Sequence, residues 1–314
     1  KIYNKQNMPK PLSLFNDQTF PPKKVSLCPF TGEGWNAFKD LFEEDMEEWD
    51  NYKWCKIDEL GESINYDIFT VKANVDNIKQ GDINDCYFLS AVGALCDYPD
   101  FFYRLFQVKE KTKEGAYGVY LYLNGKWKLV LVDDNFPYAA KYKIFKQLSF
   151  SSTVRNEIWI SLLEKAWAKV NGCYVKIGCG GYTYEAFDVL TEAYTEKVNI
   201  REYILNKEEE LWMKMDNGFQ SHYILTAETP NNEELANFGL CPNHIYFVMN
   251  IYKIGDIKLV KLRTPWGSME YTGDWSIYDS KWTPDIKSLC QFPKDEDNGT
   301  FYMPFNDFTK YFLN

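Results

Sequence analysis

The sequence predicts an α+β fold, with a mostly helical first half, a mostly antiparallel β second half and a cleft between them. Three observations support this. Apolar residues recur at helical spacing after Cys86 and again across residues 155–170. Asn124-Gly125 separates two runs of alternating apolar residues, the signal of a β-hairpin. Beyond about residue 191, helical patterning gives way to strand-like runs at 221–227, 244–253 and 257–263. With 314 residues, 45% of them hydrophobic, the chain can build two cores. The boundaries read as an N-terminal arm over 1–40, a first subdomain over 41–191 and a second over 192–314.

Taken in order, residues 1–40 are rich in Pro, Gly and Asn and read as an irregular wrapping arm. Glu43, Glu44, Asp45, Glu47 and Glu48 form the solvated face of a helix whose other face is Leu41, Phe42, Met46 and Trp49. A helix over 86–96 follows, stopped by Asp97-Tyr98-Pro99. Val119, Leu121 and Leu123 alternate before the Asn-Gly turn, and Trp127, Leu129 and Leu131 after it. Ile158, Leu162, Leu163 and Ala166 mark the apolar stripe of a second long helix. Gly178-Cys179-Gly180-Gly181 is a tight loop without a nucleotide-binding context. A helix near 207–215 leads into the strands of the second half.

Composition excludes several classes of function. Acidic residues outnumber basic ones 45 to 35, for a net charge of −10, which argues against a nucleic-acid partner. No run of eighteen apolar residues predicts a membrane span. Eight cysteines are scattered without a C-x-x-C, and two histidines leave no zinc-finger spacing. No secretory pattern opens the chain, so reduced thiols in the cytoplasm are expected. The start at Lys1 reads as a piece of a longer multidomain protein.

The chemistry centres on Gln80-Gly81-Asp82-Ile83-Asn84-Asp85-Cys86. A thiol at a helix N-terminus faces unpaired N–H groups, which favour thiolate. Gln80, six residues upstream, can offer an amide N–H to a developing oxyanion. A thiol nucleophile needs a base, and the base needs an orienting group. His222 and His244 are the two candidates. Residues 245–252 and 258–263 read as two strands joined at Gly255-Asp256, which brings Thr264 beside His244. Pro265 ends that ladder. His222 gains no polar partner by the same geometry and is the weaker candidate.

These residues resemble the calpain family of cysteine proteases. The resemblance runs in order through Gln80–Ser90, Val130–Asp134 with Pro137, Glu157–Trp159 with Leu162–Ala166, Gly180-Gly181, Gly239–Val248, Arg263-Thr264-Pro265-Trp266-Gly267 and Gly299–Met303 with Phe305 and Asp307-Phe308. It spans roughly residues 12–314. It implies a papain-like core with Cys86 on one half and His244 on the other, limited cleavage of intracellular protein substrates, and no organic cofactor. Gly180, Gly181 and Trp266 are implied at the substrate side.

Several positions depart from the family pattern. Thr264 stands where the family has Asn, so its shorter hydroxyl must orient the imidazole. Tyr87 replaces a Trp, Asn243 a Gly before the base, and Glu192-Ala193 a Gly-Gly hinge. The resemblance also implies two Ca²⁺ sites. For the first, Glu157 is kept and Asn77 replaces an Asp, which weakens it. For the second, Glu270 is kept, but Ile277, Asn298 and Thr300 replace acidic positions, so it is expected to be lost. Two readings follow. One is an active calpain-like endopeptidase. The other is a catalytically impaired calpain-like module that binds or scaffolds proteins. An unrelated thiol acyltransferase shares the Cys/His logic but not the ordered blocks.

Overall fold

The structure is a computed structural model that describes residues 15–30, 49–60, 66–139, 148–204, 207–265, 271–293 and 299–314. The acidic face expected over 43–48, Trp266 and Glu270 lie outside these residues.

In the first half, α1 (Lys24–Leu27) belongs to the arm, and β1 (Tyr52–Lys56) pairs antiparallel with β5 (Asn135–Ala139). Between them come β2 (Ile78–Lys79), α2 (Cys86–Leu95), α3 (Pro99–Phe102), β3 (Ala116–Tyr122) and β4 (Trp127–Asp133). β3 and β4 form the expected hairpin. Asn124 and Gly125 have φ of 54° and 73°, the positive values that its tight turn needs. β6 (Ser152–Thr153) pairs with β2, and α4 (Trp159–Asn171), α5 (Tyr174–Gly178) and α6 (Thr183–Thr191) complete this half.

In the second half, α7 (Glu208–Gln220) precedes a four-stranded antiparallel sheet in the order β10-β9-β8-β7. Its strands are β7 (Leu225–Glu228), β8 (Ile245–Ile254), β9 (Ile257–Arg263) and β10 (Thr300–Pro304). α8 (Pro284–Leu289) and α9 (Phe305–Tyr311) flank it. The α+β class predicted from the sequence is the one observed.

One apolar cluster gathers residues from Phe20 to Leu190, so the arm contributes to the first core. A second runs from Ile200 to Phe312, and a third packs Leu259, Trp275, Trp282 and Tyr302 at the far side of the sheet. Ile245, on β8, joins the first cluster rather than the second. This crossing matters, because it seats α2 on the strand that follows His244. Gly93 of α2 makes the close fit possible: a Cβ there would come within 2.4 Å of the Phe247 ring.

Within the first core, α2 and α4 are locked by aromatic contact. Phe88 and Trp167 stack with ring centroids 5.3 Å apart, and Trp167 Nε1 donates to the Tyr87 hydroxyl at 3.0 Å. Tyr87 thus fills the place of a larger ring and still finds a partner. Lys165, fully buried on α4, donates to the Asp133 carboxylate and to the Asp133 and Asn135 carbonyls. It pins the β4–β5 corner to the helix beneath it.

Candidate active site

Cys86 is the first residue of α2, as expected. The predicted preference for thiolate does not hold in this geometry. Part of the residue reaches solvent, but the sulfur sits in dense surroundings. Desolvation, the larger cause, pushes the thiol up to about 12, and any charge on neighbouring Asp85 acts in the same direction. Dipole and N–H contacts work in the other direction and are outweighed. Among those contacts is the backbone N–H of Ile245, which hydrogen-bonds to Cys86. Ser90, one turn further along α2, donates to the Ile245 carbonyl at 3.4 Å. The nucleophile's helix is therefore attached at two points to the residue after His244.

His244 is buried, with 3% exposure, immediately before β8. Its Nε2 lies 3.2 Å from Thr264 Oγ1, so the threonine hydroxyl does reach the imidazole. The contact is made by a different route from simple pairing. Phe247 faces Arg263, which puts Thr264 level with Tyr246 and makes His244 its diagonal neighbour on the same face. Thr264 itself is 1% exposed, and its N–H donates to Gly299 at 3.0 Å. Tyr246 meets the His244 ring edge-on at 5.0 Å. Burial drives the imidazole down to about 3, so it rests neutral. Cys86 and His244 are thus a neutral thiol and a neutral base at rest, not an ion pair.

His222 is exposed in a turn, with φ of 59°, and its carbonyl accepts from Tyr98. It lies at the far end of β7 from His244, close to Gly93 and Ala94 of α2. The structure does not bring it to Cys86.

Gln80 is half-buried, and its amide donates to the Ile83 carbonyl at 2.7 Å. This bond closes the loop that presents Cys86. Gly81 beneath it admits no side chain, since a Cβ would sit 2.2 Å from the Ser149 carbonyl oxygen. Gly180 and Gly181 are exposed beside this loop. Gly181 lies so close to the Tyr87 ring that a Cβ would be 2.6 Å from it, while Gly180, at φ of 81°, faces open space.

Two family departures fall where the backbone is left-handed: Asn243 at φ of 49° and Glu192 at 61°. Glycine takes that conformation freely. Asn tolerates it, and Glu does so at a cost of roughly 1 kcal/mol.

The first Ca²⁺ site does not fit the residues present. Glu157 is 1% exposed, and Oε1 accepts three bonds, from Thr70 N–H at 2.7 Å, Thr70 Oγ1 at 2.8 Å and Val71 N–H at 3.1 Å. Oε2 accepts from Trp159 Nε1 at 3.1 Å. Those donors present hydrogens where a cation would need lone pairs. Asn77 is buried, and its carbonyl accepts from Val154. Among the described residues no group of three His, Cys, Asp or Glu side chains could hold a metal. Thr300, at the second site, is 2% exposed inside β10, and Ile277 is packed in the third core.

Sequence reasoning missed one contact between the halves. Arg263, fully buried at the end of β9, lies 3.1 Å from Asp76, four residues before Gln80. Burial lowers the guanidinium to about 10, and Asp76 opposes the shift. A buried arginine beside the active loop has no periodic signature.

A family model described as calpain family cysteine protease matches residues 15–314. The chain belongs to the calpain family of cysteine proteases. The calpain-type cysteine protease ADL1 of Oryza sativa subsp. japonica is 28% identical over 311 residues, 95% of this chain and 14% of that protein. Human calpain-14 is 33% identical over 260 residues, 79% of this chain and 36% of its own length. The calpain-1 catalytic subunit of Macaca fascicularis is 30% identical over 309 residues, covering 96% and 41% respectively. The chain therefore spans less than half the length of these relatives. Among the described residues no helix is long and apolar enough to cross a membrane.

Proposed function

We infer that this chain is the protease core of a longer multidomain protein and cleaves intracellular protein substrates at a limited number of peptide bonds. The observation that carries this reading is the linkage of Cys86 to Ile245, beside a buried His244 whose ring is bonded to Thr264. Cys86 Sγ attacks the scissile carbonyl carbon. As the S–C bond forms, His244 takes the thiol proton at Nδ1, the nitrogen not engaged by Thr264, and returns it to the amine as the C–N bond breaks; water, deprotonated by the same nitrogen, then hydrolyses the thioester and restores the Cys86 thiol. Thr264 Oγ1 accepts a hydrogen bond from Nε2–H and so fixes the tautomer. Gln80 turns an amide N–H toward the oxyanion. Gly180 and Gly181 present backbone to the extended substrate. A neutral thiol and a neutral imidazole make the proton transfer concerted with attack.

The same neutrality favours a second reading. A thiol raised to about 12 beside a base lowered to about 3 describes an impaired module that serves as a binding or structural domain. Calcium dependence is a family trait, and Glu157 and Asn77 give it no support here. The deciding experiment is digestion of a denatured protein by the purified chain, in Ca²⁺ and in chelator, against Cys86→Ala. A few large fragments, lost in the variant, support the enzyme. No cleavage in either condition leaves the module.

A further inference from the structure

Directly behind the nucleophile lie two carboxyl groups that the scheme above leaves unused. Asp85 precedes Cys86, and Glu164 points in from α4; they are 0% and 1% exposed. Glu164 Oε1 accepts the Ser151 N–H at 2.9 Å. Asp85 does not cap α2 with its side chain. Apart from a contact with its own N–H, neither of its oxygens meets an N–H or hydroxyl donor among the described residues. The two carboxyls instead meet each other, side chain to side chain.

Two bare carboxylates cannot share a dry site. Something must neutralise one of them. Among the described residues, the ionisable groups that face the pair are Cys86 and Tyr87 on α2 and Tyr174 on α5, and all three are acids. Lys165, next to Glu164 in sequence, turns instead to Asp133 and Asn135. A proton is then what makes the contact favourable, because it converts two facing acceptors into a donor and an acceptor. Glu164 already has the Ser151 N–H to support its charge, whereas Asp85 has little, so the proton belongs on Asp85.

We propose that Asp85 is a positioning residue held as a neutral acid, donating its proton to the Glu164 carboxylate and so keeping negative charge away from the thiol it precedes. Burial, followed by the Glu164 charge, raises Asp85 well above the carboxylate range, and burial raises Glu164. The consequence for Cys86 rests on its being the nucleophile; the shared proton does not.

Two measurements on the full chain test this. Infrared difference spectroscopy at neutral pH reads the carbonyl stretch of a protonated carboxyl group, and that band should vanish in Asp85→Asn. The pH profile of Cys86 alkylation by chloroacetamide, read by peptide mass mapping, tests the consequence. Glu164→Gln offers Asp85 an N–H and frees its proton, so the profile should move up by about one pH unit, a tenfold slower reaction below the inflection. Asp85→Asn keeps a neutral donor and should hold the parent's profile. If Glu164→Gln does not fold, the infrared band decides alone. A spectrum unchanged by Asp85→Asn, or a folded Glu164→Gln with the parent's profile, overturns the proposal. A present band in a protein that cleaves nothing would sink the protease reading and leave the pair standing.

Discussion

Replacing Thr264 with Val keeps the shape of a buried side chain and removes the hydroxyl that meets the His244 ring at Nε2. Thr264 is 1% exposed and His244 3%, so water cannot readily take the lost place. The bond itself is 3.2 Å long. Losing such a buried bond costs about 1–3 kcal/mol. If that cost appears in the transition state, kcat/KM falls by roughly 5- to 150-fold. A fluorogenic peptide assay measures it, and the rate of Cys86 alkylation gives a second reading that needs no turnover. KM should change little, since Thr264 lies behind the base and not against substrate. Thr264→Asn reaches further toward the ring and should match or exceed the parent. A Val variant within twofold of the parent in both assays would refute the claim that Thr264 orients the base.

Other consequences follow from the same geometry. His244 is lowered from its ordinary 6.5 to about 3, so between those values the unfolded state binds the extra proton and stability falls as pH falls. Urea unfolding from pH 6.5 down to 4 should therefore show a steeper loss in the parent than in His244→Gln, by up to about 1.4 kcal/mol per pH unit; parallel slopes would mean that the imidazole is not buried neutral. Raised acids such as Glu164 act in the opposite sense, which is why the difference between the proteins is the quantity to read. Lys165→Met leaves Asp133 buried without its cation and should cost about 3–5 kcal/mol in the same assay; the Lys165→Met, Asp133→Leu double variant should recover part of it. Glu157→Ala should lower the melting temperature equally in Ca²⁺ and in chelator, because its carboxylate is filled by hydrogen bonds; a loss confined to Ca²⁺ would make it a ligand.

Local signals proved most legible where they coincide with backbone requirements. Asn124-Gly125 gave the hairpin because its turn needs two positive φ values. The apolar stripe of Ile158, Leu162, Leu163 and Ala166 gave α4, although its helix begins at Trp159 and runs to Asn171. The approach of Thr264 to His244 was readable from strand order, but the exact pairing was not. A register irregularity between Val248 and Asn250 shifts the ladder, and no sequence pattern marks it. Charge state was the least legible feature. The helix start at Cys86 suggested thiolate, yet enclosure by Ile245, Tyr246 and Asp85 comes from segments far apart in sequence or from burial that no motif reports. The acid pair of Asp85 and Glu164 was hidden for the same reason, with 78 residues of chain between its members.

The most direct test of the account is labelling by an epoxide thiol-protease probe, followed by peptide mass mapping of all eight cysteines. A single adduct is expected on Cys86, lost in His244→Ala and retained in His222→Ala. Absence of that adduct in both Ca²⁺ and chelator, or labelling that survives His244→Ala but not His222→Ala, would contradict it.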